Sequence, residues 1–229
     1  MTVFCGIISR STKYKDGGYA DSYQMTKMLL MSHFRVRLAE YTMIIDEAKL
    51  YITELFNGNA DGHDTEHSMR VYKNAMEIAK GYPEADLSVI ALAALLHDAD
   101  DHKLFDHENN ENTREFLKTR NVDEEVTEKI CEVINAVSFS KNRGRKPGTI
   151  EGAIVQDADR LDAMGAIGIA RTFAYGGKHG RTLEDSVQHF YDKLLVLKEN
   201  LNTPEARRMA EVRHGFLEEF IEEWKRECW

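Results

Sequence analysis

Three stretches of this chain set histidine and aspartate where helical spacing otherwise demands apolar residues. The first is Ala91-Leu92-Ala93-Ala94-Leu95-Leu96-His97-Asp98, an apolar run that ends in an imidazole and a carboxylate. A buried carboxylate is costly unless a cation or a set of hydrogen bonds compensates it. The second is Gly62-His63-Asp64-Thr65-Glu66-His67, which leads into a helix with the apolar series Val71, Ala75, Ile78. Counting back four from Val71 reaches His67, so its ring projects from the buried stripe, with Asp64 placed as the N-cap. In the third, Val155-Gln156-Asp157-Ala158-Asp159-Arg160-Leu161-Asp162, Ile154, Asp157, Ala158 and Leu161 share one helical face. Asp157 is therefore expected to point with the core, while Asp159 and Asp162 fall elsewhere, solvated or paired with Arg160. Singly, each stretch has a plainer reading: a solvated helix end for His97-Asp98, a hydrogen-bonded core histidine for His67. Together, His67, His97, Asp98 and Asp157 supply two imidazoles and two carboxylates. That mixed N/O set suits Mn²⁺, Fe²⁺, Co²⁺, Ni²⁺ or Zn²⁺ with positions open for water or substrate.

The elements that must position these groups read as helices. Apolar residues recur at helical spacing from Thr26 to Phe56, ended by Asn57-Gly58-Asn59. Helices are expected from Asp64 to Lys80, from Leu87 to His97, near 108–120 and over 123–138. A helix through Asp157 then runs into Gly165-Ala166-Ile167-Gly168, where small residues permit close packing. Ala174 to Arg181 reads as a glycine-rich loop, followed by two long helices, Leu183 to Leu201 and Pro204 to Lys225. Val3 to Ile8 could form a short strand. The polar loop Ala99-Asp100-Asp101-His102-Lys103 follows the first motif. A second loop, Ser138 to Gly152, carries Lys141, Arg143, Arg145 and Lys146, either solvated or a flap that meets phosphates.

Composition narrows the functional classes. A length of 229 residues with 42% hydrophobic content and three prolines fits one folded, helix-rich domain. A net charge of −9 speaks against a general nucleic-acid or anionic-membrane binder. Cys5, Cys131 and Cys228 stand apart in no CxxC spacing, which argues for a reducing compartment without disulfides or a thiolate zinc site. No apolar run approaches the roughly 20 residues of a membrane span, and the expected location is cytoplasmic.

The order His67 … His97-Asp98 … Asp157 on helices resembles the HD-domain superfamily of metal-dependent phosphohydrolases, and more narrowly its YedJ/YpgQ-like branch. That branch carries close relatives of the segments Gly62 to His67, Leu95 to Lys103 and Val155 to Gly168. The resemblance runs from about Ile44 to the last helix. It implies an all-α fold, a single HD-domain bundle over residues 43–226 with a metal site in its interior, residues 1–42 being an N-terminal extension. It implies a hydrolase that attacks phosphorus with a metal-activated water, on a nucleotide or similar small phosphorylated metabolite. Monoester, diester and triphosphate pyrophosphohydrolase chemistry all stay open. One divalent ion is expected, Mn²⁺ favoured among Mn, Fe, Co, Ni, Zn and Mg, with His67, His97, Asp98 and Asp157 as ligands. Asp101, three residues past Asp98, would be the general acid/base. Lys103 and Arg160 would meet phosphate, with His63 as a further substrate partner, whereas Arg70 is expected to make a structural ion pair. The alternative is a metal-containing nucleotide sensor or scaffold with little turnover.

Overall fold

The computed structural model describes residues 39–57, 64–101, 105, 109–138, 142 and 145–228. The Val3 to Ile8 segment, His63, His102 and Lys103 lie outside the described residues. The chain divides into two compact units, Met1–Thr42 and Met43–Trp229. Of the first unit, residues 39–42 are described, and they are helical.

The second unit is all-α, with no strand among the described residues. Its first helix, α1, covers residues 43–55 and buries Ile44, Ala48 and Ile52, a spacing of four that forms one stripe. Then follow α2 (Thr65–Ala79), α3 (Leu87–Leu96), α4 (Glu111–Lys118), α5 (Glu124–Val137) and α6 (Ile150–Asp162). The C-terminal part comprises α7 (Gly165–Lys178), α8 (Leu183–Asp192), two short 3-10 turns and α9 (Pro204–Cys228).

The hub is α3. All eight residues from Val89 to Leu96 are buried, so this helix is apolar around its whole circumference. A helix of that kind must be enclosed, and α2, α5 and α6 surround it. Truncating Leu92 or Leu95 to alanine would cost about 2–5 kcal/mol. Asp86 starts α3 by accepting from the Ser88 and Val89 amides at 2.9 and 3.2 Å. Asp64 caps α2 by accepting from the His67 amide at 2.7 Å, as its position in the sequence leads one to expect.

Two expectations about the C-terminal part fail. The glycine-rich stretch is not a loop, since α7 continues through Gly176 and Gly177 to Lys178. The reason is packing: a Cβ on Gly176 would collide with the Ser186 hydroxyl of α8. The expected helix from Leu183 to Leu201 also breaks, ending at Asp192 and giving way to 3-10 turns at Leu194–Val196 and Lys198–Asn200. Leu194, Leu197 and Leu201 are all buried there. The chain then turns extended at Leu201, which brings Asn202 and Thr203 against α6. No helix among the described residues is long and apolar enough to cross a membrane.

Candidate metal centre

Two imidazoles meet where α2 and the end of α3 approach α6. His67 sits in the first turn of α2, facing α6, and His97 is the C-cap of α3. Both side chains are nearly closed to solvent, 2% and 3% exposed. Their Nε2 atoms stand 3.2 Å apart. Each ring is fixed from behind. His67 Nδ1 donates to Asp162 Oδ2 at 2.8 Å, and His97 Nδ1 donates to the Ala94 carbonyl at 3.0 Å. With a proton on each Nδ1, both Nε2 atoms present lone pairs toward the same point.

Carboxylates close the cluster. Asp98 Oδ2 lies 3.4 Å from Nε2 of both histidines. Asp159 Oδ1 lies 3.4 Å from His67 Nε2 and 3.9 Å from His97 Nε2. His67, His97 and Asp159 bring ligand atoms within 4.8 Å of one another, a group fit for a metal ion. Burial is the largest influence on His67 and favours its neutral form. Hydrogen bonds to Asp159, Asp162 and Asp98 outweigh it and hold the His67 pKa well above the ordinary 6.5. Burial would likewise raise Asp159, yet His67 and His97 keep its carboxyl below the usual range. The site thus calls for positive charge at its centre, and its donor set of imidazole nitrogen and carboxylate oxygen fits a divalent cation.

Asp157 is not in this cluster. It is fully buried, and both oxygens are spent on the N-terminus of α9. Oδ1 accepts from the Asn202 amide and Nδ2, each at 2.8 Å. Oδ2 accepts from the Thr203 amide and hydroxyl, again at 2.8 Å each. Burial pushes its pKa up, against those hydrogen bonds. The expectation erred in equating the buried face of α6 with the face of the site. The centre of that face meets the donors of Asn202 and Thr203, whereas Asp159, a quarter exposed at its rim, is the aspartate that reaches the histidines.

Arg160 also turns away. Its side chain is buried and donates to the Asn200 carbonyl, which makes it a brace for the turn before α9 and not a phosphate contact. Asp162, expected to be solvated or paired with Arg160, is instead 2% exposed and orients His67. Arg70 grips it with Nε on Oδ1 at 2.6 Å and Nη2 on Oδ2 at 3.1 Å, the expected structural ion pair. Arg171 of α7 adds a further bond to Oδ2 at 2.6 Å. Burial would raise the Asp162 pKa, but His67 and Arg70 hold it far below the carboxylate range. Asp159, Asp162 and Arg171 escaped the sequence reading, although the three-residue spacing of Asp159 and Asp162 marks one face of α6.

Asp101 follows on a helical turn, its amide donating to the Asp98 carbonyl at 3.1 Å. Asp100 beside it is structural, accepting from the Asn112 and Thr113 amides at the start of α4.

The HD domain family matches residues 65–164, a span that holds both histidines and all of α6. YpgQ of Bacillus subtilis is 36% identical over 191 residues, which is 80% of this chain and 92% of that protein. The chain belongs to the HD family. Its HD domain superposes on the crystal structure of B. subtilis YpgQ in complex with ADP with a TM-score of 0.71 and 33% identity, over 82% of this chain and 96% of YpgQ. An HD-superfamily hydrolase from Bacillus thuringiensis superposes with a TM-score of 0.68 and 37% identity, covering 82% of this chain and 98% of that one. The fold is that of the HD-superfamily hydrolases, and HD domains bind divalent metals.

Proposed function

We propose that this HD protein is a divalent-metal-dependent phosphohydrolase acting on a nucleotide or a similar small phosphorylated metabolite, with His67, His97, Asp98 and Asp159 as its metal ligands. One observation carries the reading: two buried imidazoles face each other Nε2 to Nε2 at 3.2 Å, with each Nδ1 committed to an acceptor. Two lone pairs at that separation repel unless a cation joins them, and Asp98 and Asp159 supply the balancing charge. A divalent ion bound there supplies charge for the phosphoryl oxygens and makes a water acidic enough to react near neutral pH.

The chain's own groups do the rest. Asp162 and the Ala94 carbonyl keep the imidazoles in the tautomer that leaves Nε2 free to bind. Asp101, on the turn closed onto Asp98, takes the proton of the attacking water. Arg171, with a side chain 26% exposed, adds positive charge beside His67. Phosphoryl transfer needs mainly such positioning and charge. His63 and Lys103 stay assigned to the substrate on sequence grounds. The ADP bound by YpgQ supports a nucleotide as the substrate class. Manganese, suited to the carboxylates and water of the set, is the expected ion.

Elemental analysis of the purified protein tests the first half, with about one divalent ion per chain expected. Release of phosphate and pyrophosphate from a nucleotide panel tests the second half, with turnover lost to chelator and restored by Mn²⁺. Tight metal and nucleotide binding without turnover under any metal would make the protein a sensor instead.

A further inference from the structure

Asp162 also lines a concavity that His67 does not, between α2, the α6–α7 turn and α9. Its volume is about 250 Å³, and its walls include Arg70, Lys73, Arg213, Asp162, Met164 and Ile167. None of His67, His97, Asp98 or Asp159 lines it. Three cations therefore share its lining with one carboxylate, and that carboxylate is already engaged by Arg70, Arg171 and His67.

Arg213 is half-buried and spends two N–H groups on neutral acceptors, the Leu161 carbonyl at 2.6 Å and Asn74 Oδ1 at 2.9 Å. Lys73 is exposed and makes no ion pair among the described residues. Asp64 and Glu66 act on Arg70 from the start of α2, but neither lines the concavity. In a chain of net charge −9, this is a mostly apolar hollow bordered by a local excess of positive charge. Like charges gathered there attract a counter-ion, and a concave, partly desolvated setting strengthens the attraction. The remaining wall is apolar, with Met164 at 1% exposure as floor and Ile167 at 42% as rim.

We propose that this hollow is a second binding site, separate from the metal centre, for a small organic anion: a phosphate or carboxylate head on Lys73 and Arg213, with a short apolar body against Met164 and Ile167.

Calorimetric titration of the metal-loaded protein with butyl phosphate, pentanoate and inorganic phosphate tests it. Ile167→Glu places a carboxylate in the hollow at an exposed first-turn position where helices favour acids, so folding is retained. Lys73→Glu reverses an exposed charge. The part of the butyl phosphate isotherm that persists in Asp159→Ala should disappear when Ile167→Glu is added and weaken about tenfold with Lys73→Glu, and neither Ile167→Glu nor Lys73→Glu alone should change metal content. Butyl phosphate should bind more tightly than inorganic phosphate, by about fourfold per buried methylene. The ranking of butyl phosphate against pentanoate tells which head the site takes. Isotherms identical in wild type and both variants would overturn the proposal, as would binding that vanishes in Asp159→Ala but persists in Ile167→Glu. The latter result would put the anion at the metal centre.

Discussion

Asp157 and Asp159 stand two residues apart on α6 and live in opposite environments. Asp157 is sealed in protein and saturated by amide and hydroxyl donors from the start of α9. Asp159 is a quarter exposed and faces two histidine nitrogens. Both carry the same functional group on the same helix. What separates them is their partners: the inner carboxylate accepts hydrogen bonds from neutral amide and hydroxyl donors, the outer one faces imidazole nitrogens and is held ionised by positive charge there. A buried aspartate is thus not by itself a metal ligand; its partners decide.

The contrast can be broken by exchanging losses. Asp159→Ala should abolish metal retention and lower turnover by about three orders of magnitude or more, while urea unfolding of the metal-free form changes little. Asp98→Ala should behave alike. Asp157→Ala should keep its metal and instead lose about 3 kcal/mol of stability, since the Asn202 and Thr203 donors are left buried and unpaired. Elemental analysis and urea midpoints on the same samples decide it. A metal-free Asp157→Ala beside a metal-replete Asp159→Ala would reverse the assignment.

Two further variants sharpen the comparison at the outer end. Asp162→Asn removes the carboxylate that orients His67 and should weaken metal affinity about 10–100-fold, read by competition with a chelating dye. Asp101→Asn should leave metal affinity intact and slow turnover by about a hundredfold. Full activity in that variant would remove Asp101 from proton transfer.

The smallest expected effect is one of pH. In the metal-free protein the His67 pKa is raised by its three carboxylates. The stability it contributes is full below about pH 6.5, the unfolded value, and fades as pH rises through the folded one. The melting temperature of the metal-free form should therefore fall above neutrality. Metal affinity should rise over the same range, because the ion displaces that proton.

Much of this was legible beforehand. His67 could be placed on a buried stripe because Val71, Ala75 and Ile78 fix the phase of α2, and His97-Asp98 drew notice as a polar end on so apolar a helix, although a solvated terminus would read the same way. The aspartate of α6 was not legible by the same rule. Periodicity tells which side of a helix is inside, but not which inside positions meet donors from Asn202 and Thr203, 45 and 46 residues further on. Arg160 was misread for the same reason, its acceptor being the Asn200 carbonyl. The α8 break and the helical Gly176 likewise answer to distant partners, and local spacing carries no trace of them.

Asp157 holds Thr203, and the Thr203 hydroxyl in turn accepts from the Ala206 amide in the first turn of α9, which ties the C-terminal helix to the helix that carries Asp159. An ion held by Asp159 would steady α6, and through Asp157 and Thr203 that steadiness would pass to the start of α9. Amide hydrogens from Ala206 onward should consequently exchange more slowly in the metal-loaded protein than in the stripped one, so α9 works as a remote gauge of occupancy.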